Sequence, residues 1–124
     1  AEWLNKKNNT KKLLYPGLKS HPQFSLAAKQ QLNPNGERIF GNMISFDIGS
    51  EEKRDNFLER LEIFSLAESL GGVESLVCVP YDMTHAAVPE ESKLEMGITK
   101  SLIRLSIGIE DCSDLIDDLN SSFS

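Results

Sequence analysis

The chain has 124 residues, with 40% hydrophobic and 26% charged residues. This size and mixture predict one folded, water-soluble domain and exclude a disordered chain. The net charge of −6 argues against the basic surface that nucleic acids or anionic membranes require, so we expect neither as a partner.

The rarer residue types and the start of the chain narrow the class of protein further. The two cysteines, Cys78 and Cys112, predict no disulfide framework, and with only two widely spaced histidines they predict no metal site. No apolar segment approaches the roughly 20 residues that span a bilayer. Because the start does not resemble a signal peptide, we expect a cytoplasmic protein.

The first third of the chain predicts three short elements. Residues 1–10 look like the tail of a longer helix. A short strand follows near residues 11–15 and closes at a Pro16-Gly17 turn. Ser20 and Gln23 have capping-box spacing, which predicts a helix from there to the Asn-Pro-Asn-Gly turn at 33–36.

Clear periodicity appears in the middle of the chain. Ile44, Phe46 and Ile48 alternate with polar or less apolar positions, which predicts a half-buried strand. Ser50 is placed to cap a long helix over 51–69, which has an acidic first turn and a wide apolar stripe. That helix would stop at Gly71-Gly72.

Two strands and two helices are expected after this corner. The strands cover 73–79 and 101–110; the helices cover 89–97 and 111–123, the second capped by Asp111. In the second strand, Ile103, Leu105, Ile107 and Ile109 would share one face. The predicted fold is a two-layer α/β domain with a sheet of about four strands and helices on one face.

Arg104 is the strongest single candidate for a ligand contact. It lies in the middle of the best strand, on the face opposite Ile103, and its guanidinium forms a planar fork that matches a carboxylate. The alternative is an ordinary strand arginine paired with Asp47 or Glu110.

Three other candidates lie in less distinctive places. Glu68 and Ser69 would sit at the end of the long helix, where charged and polar residues are common. The Gly71-Gly72 pair could let a ligand approach the backbone, although a helix C-cap explains it equally well. Thr84-His85 could be a simple turn. No phosphate-binding glycine loop is present.

Six motifs, in order, connect the chain to a known family. They are YPGLKSHPQ, GNMISFDI, AESLGGVESL, MTHAAVP, GITKSLIRLSIGIED and DLIDDL. Together they resemble the C-terminal region of the cystathionine γ-synthase, γ-lyase and β-lyase family, which are pyridoxal-phosphate enzymes of transsulfuration. The resemblance implies that residues 1–124 are the small C-terminal domain of a fold-type I pyridoxal-phosphate enzyme, preceded by the end of an interdomain helix at about 1–10.

The resemblance also implies roles for individual residues. Arg104 matches the arginine that holds the substrate's α-carboxylate, and Ser69 and Leu70 match the segment lining the same pocket. Glu68 matches an acidic position at the distal end of the substrate, and Thr84 matches a threonine near the pocket.

The implied chemistry needs a larger protein. The family's Schiff-base lysine has no matching segment here, so pyridoxal phosphate would be bound in the full-length enzyme and not by this chain alone. The implied partners are the cofactor domain and a sulfur amino acid such as cystathionine, in a homotetramer. A β-lyase, a sulfhydrylase-type relative or a stand-alone binding module are the alternatives.

Overall fold

The computed structural model describes residues 1–123, which form one sheet with five helices around it. The elements in chain order are α1 (Glu2–Asn5), β1 (Lys12–Leu14), α2 (Phe24–Gln30), β2 (Met43–Asp47), α3 (Glu51–Arg60), β3 (Ser65–Leu66), β4 (Leu76–Cys78), α4 (Glu90–Glu95), β5 (Leu102–Ser106) and α5 (Cys112–Ser122).

The sheet has the strand order β1-β2-β5-β4-β3. Its pairs are antiparallel except β3 with β4, which run parallel. Strand β5 is therefore central, with a neighbour on each side. Its middle residue, Arg104, lies directly between Ser45 of β2 and Cys78 of β4.

One face of this sheet carries the hydrophobic core. Ile103 and Leu105 of β5 are fully buried there. The cluster also includes Leu4 of α1, Phe57 of α3 and Leu115 of α5, so these three helices cover the same face. Phe57 meets Phe46 of β2 edge to face, with the ring centroids 5.8 Å apart. The predicted α/β class with helices against one face of the sheet is confirmed.

Both side-chain caps expected for the longer helices are present. The Ser50 hydroxyl accepts a hydrogen bond from the Lys53 amide, and the Asp111 carboxylate accepts one from the Ser113 amide. Each bond satisfies an amide that the first helical turn leaves without an intrahelical partner.

The prediction for the 51–69 helix is wrong at its C-terminal end. Helix α3 ends at Arg60, so Glu68 and Ser69 are not helix-end residues. The cause is Asp118 of α5, whose buried carboxylate accepts hydrogen bonds from the amides of Glu62, Ile63 and Phe64. These amides thereby obtain partners outside a helix, and the released chain forms β3, a fifth strand beside the four expected.

Three local expectations also differ from the structure. Helix α2 begins at Phe24 after Gln23 and has no side-chain cap, so the Ser20 capping box does not form. Ile109 is 81% exposed because β5 ends at Ser106 and the alternation ends with it. The helix expected over about residues 1–10 covers only the four residues of α1.

Within residues 1–123, no helix combines the length and the apolar character needed to cross a membrane. Cys78 and Cys112 are both free, the first buried and the second exposed.

Candidate functional site

Arg104 projects from the face of β5 opposite the core. It is half-buried, and its Nη2 donates a hydrogen bond of 2.9 Å to the carbonyl oxygen of Glu68. No ion pair of Arg104 with a carboxylate occurs in the part of the chain that the structure describes. A guanidinium has five N–H donors, so most of its hydrogen-bonding capacity remains for a ligand.

The two carboxylates considered as partners of Arg104 are occupied elsewhere. Asp47 accepts hydrogen bonds from the hydroxyls of Thr99 and Ser101 at 2.6 and 2.9 Å. Glu110 accepts from the amide and hydroxyl of Ser75 at 2.7 and 2.8 Å. The alternative interpretation of Arg104 as half of a local ion pair with either residue is therefore wrong.

The pKa of Asp47 reflects this network. Burial raises the pKa, but the hydrogen bonds from Thr99, Ser101 and the Gly49 amide, together with the Lys11 charge, outweigh burial and leave the pKa below its usual value. Asp47 is thus an ionised structural carboxylate that links the end of β2 to the start of β5.

The segment Glu68–Gly71 runs along β5 from Arg104 to Ser106. Its first residue receives the Arg104 hydrogen bond, and its last donates the Gly71 amide to the Ser106 hydroxyl at 2.8 Å. Gly71 has a φ of +73°, the left-handed conformation that favours glycine. Glu68, Ser69 and Leu70 are all exposed, so this segment is open to solvent between its two attachment points.

Cys78 lies on the other side of Arg104, in the adjacent strand. The thiol is buried, and the Thr84 hydroxyl in the loop after β4 lies 2.8 Å from His85 Nδ1. Burial raises the pKa of Cys78; the Arg104 charge opposes this and the Glu68 charge adds to it, leaving the pKa raised. A neutral thiol therefore lies beside Arg104 in the neighbouring strand, and Arg104 in turn holds the Glu68 carbonyl.

Two buried cations support the loop that carries Thr84. Arg54 of α3 donates to the Asp82 carboxylate at 2.9 Å and to the Lys100 carbonyl at 2.6 Å. The Lys93 amine lies 4.1 Å from the centre of the Tyr81 ring, at cation–π distance. These contacts hold residues 81 and 82 near the main body of the domain.

The candidate surface is open. The largest described groove, with a cavity volume of about 790 Å³, lies between α1 and α5 and is lined by residues such as Trp3, Tyr15 and Leu115. None of the five candidate residues lines it. The described residues also contain no group of three or more His, Cys, Asp or Glu that could bind a metal ion.

Sequence reasoning identified Arg104, Glu68, Ser69, Leu70 and Thr84, and the structure gathers them on one side of the sheet. Sequence reasoning overlooked Ser106 and Cys78 as parts of the same surface. Strand alternation already placed Ser106 on the Arg104 face. Only the pairing of β4 with β5 places Cys78 beside Arg104.

The five-stranded mixed sheet with helices matches the small domain of fold-type I pyridoxal-phosphate enzymes. The family model described as Cys/Met metabolism PLP-dependent enzyme matches residues 1–124. The chain belongs to this family, whose full-length enzymes use pyridoxal phosphate as cofactor.

Individual relatives agree with this assignment. The chain is 50% identical to a cystathionine gamma-lyase of Bacillus subtilis (strain 168), over 98% of the chain and 31% of that protein. It is 47% identical to a cystathionine beta-lyase of Coxiella burnetii, over 98% of the chain and 30% of that protein. The chain therefore spans about 30% of the length of the relatives it matches.

A solved structure shows the same fold. Cystathionine gamma synthase from Xanthomonas oryzae pv. oryzae, crystallised in complex with cystathionine, superposes with a TM-score of 0.90 and 43% identity. The match covers 99% of this chain and 30% of that one.

The residues around Arg104 do not fit covalent attachment of the cofactor. Attachment needs a lysine amine, and the amines of Lys93 and Lys100 both approach the Tyr81 ring instead. The surface has the donor set of an anion site: a guanidinium, exposed backbone and hydroxyls. It fits a carboxylate ligand.

Proposed function

We propose that residues 1–124 are the C-terminal small domain of a full-length pyridoxal-phosphate enzyme that acts on cystathionine, of the γ-lyase or γ-synthase type. In this proposal the domain binds the substrate's α-carboxylate and is incomplete without its cofactor domain. The observation that carries the proposal is Arg104, which is centrally placed on a rigid strand and makes no described ion pair.

Arg104 supplies both charge and geometry. Its guanidinium can hold a carboxylate through two parallel N–H···O bonds, which defines the orientation of the ligand as well as its position. The bond from Nη2 to the Glu68 carbonyl restricts how the fork can rotate. A carboxylate bound here has its Cα held in one place relative to the sheet.

The neighbouring residues complete the pocket. Ser69 and Leu70 line the carboxylate site through the exposed segment after β3, and Thr84 approaches it from the loop after β4. Glu68 places an exposed carboxylate beside them, suited to the ammonium at the far end of cystathionine. Such a contact acts on substrate choice because it lies away from the reacting bond.

In the full-length enzyme, bound pyridoxal phosphate supplies an electron sink for carbanion chemistry. The contribution of this chain is orientation. By holding the carboxylate, Arg104 sets the direction of the bonds at Cα, and such positioning is a large part of catalytic rate enhancement.

The proposal includes the setting of the domain. Its partners are the cofactor domain and a sulfur amino acid, in a cytoplasmic homotetramer. The isolated chain is expected to be inactive, because the residues that form its surface supply orientation and no lysine for the cofactor.

A β-lyase is the second candidate. It is favoured by the 47% identity to the Coxiella burnetii cystathionine beta-lyase, close to the 50% for the gamma-lyase. Product analysis with cystathionine decides between them. Cysteine with 2-oxobutyrate marks cleavage on the γ side, whereas homocysteine with pyruvate marks cleavage on the β side.

The test of the carboxylate assignment is Arg104→Lys in the full-length protein, with the exposed Arg38→Lys as matched control. Lysine keeps the charge but loses the fork, and one charge-assisted hydrogen bond contributes about 1.5–3 kcal/mol. We expect kcat/KM for cystathionine to fall about 10- to 100-fold with cofactor absorbance unchanged. Equal kinetics for the two variants would contradict the assignment.

A further inference from the structure

Residues 68–75 run along β5 and its extension as a strap held at two separate places. The first place is beside the candidate site, where Arg104 donates to the Glu68 carbonyl and the Gly71 amide donates to the Ser106 hydroxyl. The second lies beyond β5. There the Ile109 amide donates to the Val73 carbonyl, and the Gly108 amide donates to the Ser75 hydroxyl, both at 2.9 Å.

Ser106 is placed to act on the first half of the strap alone. It is 2% exposed, two residues after Arg104 and on the same face of β5. Its oxygen accepts the Gly71 amide at 2.8 Å. Arg104 and Ser106 thus hold the two ends of the segment 68–71, and Ser69 and Leu70 lie between these attachment points.

We infer that Ser106 is a positioning residue for carboxylate binding: through the Gly71 amide it holds the Ser69–Leu70 backbone at a defined distance from the Arg104 guanidinium. This inference rests on the proposed function, which assigns the carboxylate to Arg104 and the same segment. Ser106 acts on the substrate only through the backbone that it holds.

The role is separable from a general contribution to folding. Gly71 is exposed, so without the Ser106 oxygen its amide can turn to water and is not left buried and unpaired. The far half of the strap keeps its own bonds to residues 108 and 109. Removing the hydroxyl therefore frees one end of the segment 68–71, with the core face of the sheet untouched.

The test compares glycine with glycinamide as inhibitors of the full-length protein acting on cystathionine. The two differ in the carboxylate, so the ratio of their inhibition constants reports the carboxylate contact and cancels general losses of activity. The variants are Ser106→Ala and the nearly isosteric Ser106→Cys. The control is Ser122→Ala, which removes another buried serine hydroxyl, one that donates to the Asp118 carbonyl within α5.

Ser106→Ala should lower the preference for glycine about 5- to 10-fold, the effect of one lost hydrogen bond. Ser106→Cys should act in the same direction, because sulfur is a weaker acceptor, and Ser122→Ala should leave the ratio unchanged. Amide hydrogen exchange in residues 67–72 should accelerate in both Ser106 variants, more in Ser106→Ala, and should stay unchanged in Ser122→Ala.

Arg104→Ala separates the two possible failures. If Arg104→Ala removes the preference and both Ser106 variants keep it within twofold of the parent, the Ser106 inference is overturned while the carboxylate assignment stands. If Arg104→Ala also keeps the preference, the proposed function is overturned and the role of Ser106 with it.

Discussion

Asp118→Asn is expected to destabilise the domain strongly, although it changes one atom of the side chain. In the native structure Oδ1 accepts the Glu62 amide at 2.8 Å, and Oδ2 accepts the Ile63 and Phe64 amides at 2.9 and 3.2 Å. Asparagine retains one oxygen and replaces the other with an NH₂ donor, so one or two of these amides would face another donor.

The magnitude follows from the number of bonds lost. A hydrogen bond to a charged group contributes about 1.5–3 kcal/mol. Because Asp118 is buried, water cannot readily replace the lost acceptor. Losing one or two bonds therefore lowers the free energy of unfolding by about 1.5–6 kcal/mol, a large share of the roughly 5–15 kcal/mol typical of a domain.

Urea denaturation followed by circular dichroism measures this loss. The matched control is Asp117→Asn, the same chemical change at the adjacent, exposed position of α5. Asp118→Asn should lower the denaturation midpoint markedly, and Asp117→Asn should change it little. Equal midpoints for the two variants would refute the argument that this carboxylate holds the chain leaving α3.

Three further outcomes are expected. Glu68→Val in the full-length protein should shift the ratio of kcat/KM values from cystathionine toward methionine, whose distal end is apolar; an unmoved ratio would make Glu68 an ordinary surface residue. Because folding lowers the pKa of Asp47, the stability that Asp47 contributes is present above the ordinary aspartate pKa and is lost as pH falls through the folded pKa. Asp47→Asn should therefore reduce the slope of unfolding free energy against pH below about pH 4. The same slope in both proteins would exclude Asp47 as the origin of this pH dependence. Ser50→Ala removes the cap on the Lys53 amide and should cost about 1 kcal/mol in thermal or urea unfolding; no loss would mean that water replaces the hydroxyl.

Most of the predictions about the site came from the motif resemblance and from strand periodicity. Alternation in 43–48 and 101–110 predicted the two central strands and put Arg104 opposite the core, although the second strand ends at Ser106. The proposed substrate-binding roles of Arg104, Glu68, Ser69, Leu70 and Thr84 came from the resemblance, and they stay predictions that the kinetic experiments address. What periodicity could not supply was the set of neighbours around Arg104.

Local sequence by itself determined the elements whose signals lie within a few residues. The caps at Ser50 and Asp111 each use a side chain and an amide two or three positions apart, and the alternation around Phe46 and Ile103 needs only one strand. Tertiary structure decided where α3 ends, because the acceptor for the amides at 62–64 is Asp118, more than fifty residues later. It likewise placed Cys78 and Gly71 beside β5, since strand pairing and a hydroxyl 35 residues away set those contacts. A pattern reports interactions between neighbours in sequence, and these hydrogen bonds join residues that become neighbours only when the whole domain folds.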